Sequence, residues 1–487
     1  MRPKSLRTAP LCLALLVILT GTVRAQKDPG PRSGTAGAGS PVAGISPDQL
    51  RFFNDGATRF NSPDTVSTGL GPTFNANSCG ACHAYPAEGG SGPAINPQVA
   101  LASAHGAGNV VPSFINTNGP VREARFRYQL NADGSPNPRL ADGGVHGLFT
   151  IAGRDDAPGC TAAQLPQPNF AQALARNNVI FRIPTPVFGG GLIENIAEAT
   201  ILTNMSADAG AKLALGITGH ANRSGNDGTI TRFGWKAQNK SLLIFSGEAY
   251  NVEVGVTNEL FPDERGGAPA SCLFNPTPED QTNFVPNAAI GPPFTQTFNP
   301  PSSGVDDSQV NSDITAFAIF MRFLDQPTPS CTGTACSASI QNGSKQFQTI
   351  GCALCHTPSM TTTASSFTPA ALSNVQVNLF SDLLVHNMGS ALADGISQGN
   401  ANGSQFRTAP LWGLGQRLYF LHDGRTSDLL HAIQAHSDCN GPGGGPAQTR
   451  VFGQSGGCSS EANGVINNFN ALTPSQQQDI LNFLRSL

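Results

Sequence analysis

The pattern of apolar and polar positions predicts a series of short helices. The chain ends on LTPSQQQDILNFLRSL (472–487), where Thr473 can cap a helix and Pro474 suits its first turn. In a helix, the apolar residues of this segment share one face: Ile480, Phe483, Leu484 and Leu487. Three further segments are typical of helices: DQLRFFNDGATRF (48–60), NSDITAFAIFMRFLDQP (311–327) and the start of SASIQNGSKQFQTIGCALCH (337–356).

Long connections and a few short strands are expected between these helices. The 487 residues include 55 glycines and 37 prolines, which favour turns. Three apolar stretches are candidates for short strands: NVIFRIPTPVF (178–188), TITRFGWKA (229–237) and SLLIFSG (241–247). The sequence therefore predicts a mainly α fold with long loops.

The N-terminus has the pattern of an export signal. Three cations precede a short apolar run, Leu11 to Thr20, and small residues follow at Val23 and Ala25. The run is too short to remain as a membrane span, and no later segment is long and apolar enough for one. We expect residues 1–25 to be a cleaved signal peptide and residues 26–45 to be a flexible leader. The mature protein is then expected to be exported.

Two C-x-x-C-H motifs carry the main candidate chemistry. Cys79, Cys82 and His83 form the first motif, and Cys352, Cys355 and His356 form the second: six candidate cofactor-binding residues. Two intervening residues place both cysteines where they can form thioethers with one haem, and the histidine can then bind the iron. A zinc site would need a second ligand pair nearby, and a redox dithiol would need a thioredoxin-like βαβ unit. The motifs therefore predict two covalently attached c-type haems (iron), with His83 and His356 as metal ligands.

The helices flanking the motifs suggest a domain plan. Each motif has its own leading helix and its own closing helix, and the closing helix of the first unit ends just before Pro327. This arrangement predicts two cytochrome c-like haem domains. The N-terminal domain (46–326) is enlarged by a loop-rich insertion with short strands, and the C-terminal domain (327–487) is compact.

Six further cysteines follow the export signal: Cys160, Cys272, Cys331, Cys336, Cys439 and Cys458. In an oxidising compartment an even number of cysteines favours disulfides, although six cysteines allow 15 pairings. The short loops favour 331–336 and 439–458, which leaves 160–272; buried free thiols are the alternative. The net charge of −4 without a basic run makes nucleic acid an unexpected partner.

An internal repeat distinguishes the two halves. FRIPTPVFGGGLIENIAEA (181–199) and FRTAPLWGLGQRLYFLHDG (406–424) align at Phe-Arg, at a proline, at an aromatic residue and at a glycine cluster. Glycines in such a cluster allow the backbone to approach a flat ring closely. The second copy continues into three histidines, whereas the first continues into Glu194 and Glu198. This difference predicts a closed C-terminal haem, suited to electron transfer, and an open N-terminal haem that can bind an oxidant.

The motifs resemble a known family. The two C-x-x-C-H motifs and FRTAPLWGLG…FLHDGR…LLHAI resemble the bacterial di-haem cytochrome c peroxidase superfamily. Four further segments are similar to its di-haem oxidoreductase branch: GLGPTFNANSCGACH, TRFGWKAQNKSLL, GVTNELFP and DLLVHNMG. The resemblance covers roughly residues 46–487 and implies a periplasmic peroxidase-like enzyme, in which a low-spin C-terminal haem supplies electrons to a high-spin N-terminal haem. It also implies that a calcium ion often lies between the domains.

The resemblance assigns further site residues. The sixth ligand of the C-terminal haem falls at His436, with three rivals: His422, which is expected instead to hold a propionate or a backbone group, and His386 and Met388. The catalytic acid over the N-terminal haem is expected at Glu194, with His146 and His105 as alternatives. An aromatic residue between the haems falls at Trp412 or Trp235.

Three functions remain open at this point. The preferred one is reduction of hydrogen peroxide with electrons from a small periplasmic cytochrome or cupredoxin. An O₂-dependent oxygenase of rubber-oxygenase type would instead have an apolar pocket, with Phe188 near the iron and no acid. A pure electron-transfer cytochrome would have protein ligands on both sides of both irons.

Overall fold

The computed structural model describes residues 26–280, 312–439 and 458–487. The expected signal peptide lies outside these residues. The helices are α1 Pro47–Asn61, α2 Cys79–Cys82, α3 Gln98–Leu101, α4 Phe170–Ala175, α5 Gly190–Glu194, α6 Glu198–Ser206, α7 Ala209–Leu215, α8 Leu242–Ala249, α9 Asp313–Phe323, α10 Ala338–Thr349, α11 Gly389–Leu392, α12 Leu429–Gln434, α13 Asn463–Ala471 and α14 Pro474–Ser486. The strands are β1 Thr73–Phe74, β2 Glu123–Leu130, β3 Pro136–His146, β4 Phe149–Thr150, β5 Val179–Arg182, β6 Met360–Thr361, β7 Gln376–Val377, β8 Val385–Asn387 and β9 Gln405–Arg407.

Helices α1 and α9 form the framework of the N-terminal half. Ser46 caps α1 by accepting a hydrogen bond from the Gln49 amide. Gly56 allows the two helices to approach closely, because a Cβ at this position would lie 2.5 Å from the Ala316 carbonyl oxygen. Phe53 and Phe60 of α1 pack against Phe320 of α9 with ring centroids 5.2 and 4.9 Å apart. Both helices were expected from the sequence.

Helices α10 and α14 form the corresponding framework of the C-terminal half. The predicted capping of α14 is confirmed, because the Thr473 side chain accepts a hydrogen bond from the Gln476 amide. A Cβ on Gly343 of α10 would meet the Asp479 carbonyl oxygen at 2.0 Å, so only glycine allows this contact. The predicted apolar face of α14 is buried in a second core: Ile480, Phe483, Leu484 and Leu487.

The strands are short, apart from a hairpin that the sequence did not suggest. Strand β2 lies between β3 and β5 in an antiparallel sheet, with Ala124 opposite both His146 and Phe181. Strand β5 lies in a predicted strand segment, whereas TITRFGWKA forms only isolated bridges. The strand expected at SLLIFSG is wrong: this segment lies in α8, because the Ser241 side chain accepts a hydrogen bond from the Ile244 amide and starts a helix.

The segment expected to be a flexible leader is held against both halves of the protein. Asp28 is buried and forms an ion pair with Arg485 of α14, with 2.6 Å between Oδ2 and a guanidinium nitrogen. Further along, the Val42 amide donates to the Phe323 carbonyl at the end of α9. The prediction of a flexible leader is therefore corrected, since Gly- and Pro-rich composition does not reveal a buried ion pair.

No single position in the sequence separates the residues of the two cores. The larger core contains the N-terminal helices and continues past residue 326 with apolar residues of the C-terminal half: Met360, Leu372, Val377, Leu379, Leu383, Leu384 and Trp412. The smaller core joins α10, α12, α13 and α14. The domain boundary at residue 326 stays a prediction.

All three expected disulfides are present. They join Cys160 to Cys272, Cys331 to Cys336 and Cys439 to Cys458. The cysteines of the C-x-x-C-H motifs are the unpaired ones among the described residues. Within those residues, no helix combines the length and the apolar character needed to cross a bilayer.

Candidate redox centres

The first C-x-x-C-H motif lies in the wall of a cavity of about 420 Å³. The Ser78 side chain accepts a hydrogen bond from the Ala81 amide and starts α2, so Cys79 and Cys82 lie on one helical turn. His83 donates from Nδ1 to the Gly90 carbonyl, 2.9 Å away, which leaves Nε2 as the unprotonated nitrogen. Burial lowers the pKa of His83 to about 4. His83 is therefore a neutral imidazole with a free lone pair, as an iron ligand must be.

The second motif lies in the wall of a cavity of about 210 Å³ that contains two such histidines. His356 donates from Nδ1 to the Phe380 carbonyl at 3.0 Å, and His436 donates from Nδ1 to the Ala432 carbonyl at 2.8 Å. Burial lowers the pKa of both, that of His356 to about 4. Each histidine therefore has a free Nε2, and the two lie close enough for their charges to interact.

The three rival ligands also line this second cavity. His386 donates from both ring nitrogens to carboxylates: from Nε2 to Asp382 at 2.9 Å and from Nδ1 to Glu461 at 2.8 Å. Although burial opposes its charge, Asp382 raises the pKa of His386 well above its usual value. A protonated imidazole with both nitrogens engaged has no lone pair for iron. His422 stacks on Phe406 with ring centroids 4.4 Å apart.

Arginines that form no ion pair in the described part of the chain test whether the cavities fit haem. Arg407 and Arg417 line the C-terminal cavity, burial lowers the pKa of each to about 10, and neither forms an ion pair in the described part of the chain. In the N-terminal cavity, the half-buried guanidinium groups of Arg122 and Arg265 donate to backbone carbonyls and form no ion pair among the described residues. Buried cations require anions, and a haem carries two propionates. Together with the unpaired cysteines and the free Nε2 atoms, these arginines fit one haem in each cavity.

Glu194 does not lie in the N-terminal cavity. Its carboxylate receives hydrogen bonds from Arg322, with the closest contact at 2.7 Å, and from the Leu242 amide at 2.9 Å. This ion pair joins α5 to α9 and α8, so Glu194 has a structural role. The expectation that it is the acid over the N-terminal haem is corrected, because its place in the repeat did not indicate where its side chain points.

A different carboxyl pair lines the N-terminal cavity: Glu123 of β2 and Glu253. Glu253 lies on the π-helical turn Tyr250–Val254 that follows α8, and it shares a hydrogen bond with Glu123. Burial, together with the charge of Glu123, raises the pKa of Glu253 well above its usual value. Asn75 donates to Glu253 Oε2 at 2.9 Å. The sequence patterns considered above did not point to this pair, although an acidic residue within the apolar run of α8 and the following turn was an available signal.

The other two candidates for the acid lie elsewhere. His146 stacks on Phe126 with ring centroids 3.8 Å apart, donates from Nε2 to the Gly143 carbonyl, and does not line either cavity. His105 is exposed and contacts Asp155 at 2.9 Å. His105, Asp155 and Asp156 form one of two three-residue clusters among the described residues that could hold a metal; the other joins Cys355, Asp382 and His386. Each cluster includes a histidine, whereas calcium prefers oxygen ligands, so calcium stays a prediction.

One tryptophan lies between the cavities. Trp235 lines both of them, and its Nε1 donates to the Ile183 carbonyl at 2.9 Å. Trp412 instead packs on Gly189, where a Cβ would lie 2.5 Å from the indole ring. Gly189 and its repeat counterpart Gly413 both have left-handed backbone angles, with φ of 62° and 68°. The glycine cluster thus allows close approach to a flat ring, but this ring is the indole of the other repeat copy.

Two cavities, each with a C-x-x-C-H turn and arginines in its wall, are what a protein that holds two haems would need. The chain matches the family described as "Di-haem oxidoreductase, putative peroxidase" over residues 146–441. This match spans more than half of the sequence, and the protein belongs to this di-haem oxidoreductase family. The matched region contains the second motif and begins after the first.

Solved structures add partial likenesses. A hydrazine synthase of Kuenenia stuttgartiensis aligns at 16% identity and a TM-score of 0.20, covering 36% of this chain and 55% of that one. A MauG-like protein associated with microbial copper homeostasis aligns at 18% identity and a TM-score of 0.23, covering 36% and 52%. The chain thus spans about half the length of each, and with TM-scores this low neither alignment bears on its function. No curated protein matches the sequence.

Proposed function

We propose that this protein is a periplasmic di-haem peroxidase with two covalently attached c-type haems. Cys79 and Cys82 would hold the N-terminal haem, with His83 on its iron. Cys352 and Cys355 would hold the C-terminal haem, with His356 and His436 on its iron. When bound, haem supplies an iron that takes up and returns single electrons. The three disulfides support an oxidising compartment.

One observation carries the assignment of roles. The C-terminal cavity offers His356 and His436, each of which donates from Nδ1 to a backbone carbonyl and keeps Nε2 free, whereas the described lining of the N-terminal cavity contains one histidine and a carboxyl pair. Two strong ligands close an iron and suit it to electron transfer, and one leaves a position for a small oxidant. Electrons would therefore enter at the C-terminal centre from a small cytochrome or cupredoxin, and hydrogen peroxide would be reduced at the N-terminal centre.

The carboxyl pair can move the protons that peroxide reduction needs. Asn75 donates to Oε2 of Glu253, so the proton of this buried carboxyl lies on Oε1. Glu253 can donate this proton to the departing oxygen, and Glu123 can accept one from the incoming peroxide. A pair that shares one proton thus offers an acid and a base at the same time.

Trp235 is the residue best situated to connect the two centres. It lines both cavities, and its hydrogen bond to the Ile183 carbonyl fixes the orientation of the indole. The backbone around it is also held, because the Arg407 amide donates to the Trp235 carbonyl at 2.8 Å. An aromatic ring held in this way provides a short path for an electron between the haems.

Optical and EPR spectra of the holoprotein, oxidised and then half-reduced, test the proposal. We expect one high-spin haem that binds CO when reduced and one low-spin haem with two histidine ligands. Addition of hydrogen peroxide to the half-reduced protein should oxidise the C-terminal haem with consumption of peroxide. Two low-spin haems that ignore CO at every redox level would contradict the proposal.

The oxygenase alternative has less support. It would need Phe188 near the iron and an apolar cavity without an acid. Phe188 does not line the N-terminal cavity, which contains Glu123 and Glu253. Oxygen uptake with an apolar organic substrate, and no reaction with peroxide, would favour this alternative over ours.

The electron-carrier alternative has one specific observation in its favour, since Met321 lines the N-terminal cavity and methionine can bind haem iron. However, Met321 lies one helical turn after Phe317 on α9, and Phe317 packs on Phe60 beside His83. This packing favours a position for Met321 on the same side of the cavity as His83. A failure of CO to bind the reduced N-terminal haem, reversed by Met321→Ala, would favour the carrier.

A further inference from the structure

A buried tyrosine lies behind the N-terminal cavity, in contact with two carboxylates and one guanidinium. Tyr250 is only 1% exposed and begins the π-helical turn that also carries Glu253. Arg59 donates to its phenolic oxygen at 2.6 Å. The phenol in turn lies 3.1 Å from Oδ2 of Asp64 and 3.1 Å from Oδ2 of Asp313. Its O–H therefore has a carboxylate acceptor on either side.

The charges around this phenol can absorb its proton. Arg59 forms ion pairs with Asp64 at 2.8 Å and with Asp313 at 2.7 Å, so the cluster contains one carboxylate more than its single guanidinium balances. Both carboxylates are buried. Burial raises the pKa of Asp64 to about 6, against the opposing charge of Arg59. Asp64 is thus a carboxylate that can take up a proton without leaving the cluster more highly charged.

A continuous series of aromatic rings joins this phenol to His83. The ring centroids of Tyr250 and Phe317 are 5.1 Å apart, those of Phe317 and Phe60 are 6.1 Å apart, and those of Phe60 and His83 are 6.0 Å apart. Phe317 and Phe60 also line the cavity. This route reaches the centre from the His83 side and does not involve Trp235.

We propose that Tyr250 is a redox-active residue that gives one electron to the N-terminal centre while its phenolic proton passes to Asp64. The proposal rests on the peroxidase function and adds a second electron source to it. Reduction of one hydrogen peroxide to two waters takes up two electrons and two protons. Tyr250 supplies one electron when the C-terminal centre can supply only one, and the two protons come from the carboxyl pair and solvent.

The step balances within the cluster. The O–H bond of Tyr250 breaks, its proton forms a new O–H bond on Asp64, and its electron leaves along the Phe317–Phe60 series to the oxidised centre. Tyr250 becomes a neutral phenoxyl radical, and the net charge of the cluster rises by one. An electron from the C-terminal centre and the proton on Asp64 later restore the phenol. The residue thus protects the N-terminal haem when peroxide exceeds the electron supply.

The chain offers a sharp test because it contains only four tyrosines: Tyr85, Tyr128, Tyr250 and Tyr419. Half-reduced holoprotein is mixed with one equivalent of hydrogen peroxide, frozen within seconds and examined by EPR, with the haem bands recorded optically. We expect an organic radical signal that narrows when the protein is grown with ring-deuterated tyrosine. Tyr250→Phe should lose this signal. The triple variant Tyr85→Phe/Tyr128→Phe/Tyr419→Phe should keep it.

The triple variant decides the question even if Tyr250→Phe fails to fold, because Tyr250 is then the sole source of a tyrosyl signal. A signal that persists in Tyr250→Phe, or its absence from wild type although the haem bands change, would overturn the inference. Asp64→Asn, which keeps the phenol and removes the proton acceptor, should lower the radical yield and hasten bleaching of the haem by excess peroxide. Haem bands that do not respond to peroxide would contradict the peroxidase function and would overturn this inference with it.

Discussion

The N-terminal and C-terminal cavities start from the same local arrangement. In each, a short helical turn presents two cysteines, and the following histidine donates from Nδ1 to a backbone carbonyl about 3 Å away. The surroundings then diverge. The smaller cavity has mostly apolar walls and a second histidine from α12 and the turn after it, whereas the larger one contains Glu123, Glu253 and arginines.

This difference shows how one attachment turn can serve two roles. The turn itself determines only how a haem would be held and which histidine nitrogen is free. What the iron can then do depends on groups contributed by distant elements, such as the turn after α8 for Glu253 and the residues after α12 for His436. Neither Glu253 nor His436 lies within the two repeat copies. Those copies instead pack on each other through Gly189 and Trp412.

The largest expected effect comes from removing the acid of the N-terminal cavity. Glu253→Gln keeps the shape and the hydrogen bond from Asn75 but cannot release a proton, so peroxide turnover should fall about 10²- to 10⁴-fold. The rate is measured with a reduced small cytochrome as donor. Glu194→Gln is the matched control: it weakens the contact with Arg322 and should change the rate little. Equal losses in both variants would contradict the assignment of Glu253.

The pH dependence sharpens the same assignment. Burial raises the pKa of Glu253 well above its usual value, so this carboxyl keeps its proton to higher pH than an ordinary glutamate and loses it as pH rises. Turnover should therefore be highest below this raised pKa and should fall about tenfold per pH unit above it, as the acid form is depleted. A profile of kcat/KM against pH measures this limb. Glu253→Gln should flatten it, and an unchanged profile in the variant would assign the limb to another group.

The tryptophan between the cavities should have a smaller effect. Trp235→Phe removes one ring of the indole and its hydrogen bond to Ile183, so electron transfer between the haems should slow about tenfold, roughly 1.4 kcal/mol of barrier. The rate is followed by stopped-flow spectroscopy after peroxide is added to half-reduced protein. Trp412→Phe changes a tryptophan that does not line either haem cavity and serves as the control. A slower transfer in Trp412→Phe alone would reverse the assignment.

The smallest expected effect is a twofold change in the number of CO molecules bound, and it removes the difference between the two cavities. His436→Ala should open the C-terminal iron, so the reduced protein should bind two molecules of CO in place of one. His431→Ala changes an exposed histidine of α12, the helix that precedes His436, and should leave the CO stoichiometry at one. If His436→Ala still binds one CO, Met388 or His422 becomes the better assignment, because both line the same cavity.

Much of the local structure follows from nearby residues. The capping of α1 and α14, the apolar face of α14 and the turn that presents each cysteine pair depend on contacts within a few positions of the chain. SLLIFSG nevertheless forms a helix and not the expected strand, because an apolar run of this length suits either state and the Ser241 cap selects the helix.

The sequence by itself determined the two attachment motifs, the number of cysteines left for disulfides and the positions of the main helices, because each depends on residues close together in the chain. Only the tertiary structure decided which carboxylates enter the N-terminal cavity, that Glu194 pairs with Arg322, and that Asp28 holds the leader to α14. It also decided that both nitrogens of His386 are engaged. The physical reason is that burial and charge pairing join residues far apart in the chain, and these contacts determine which polar groups remain free to react.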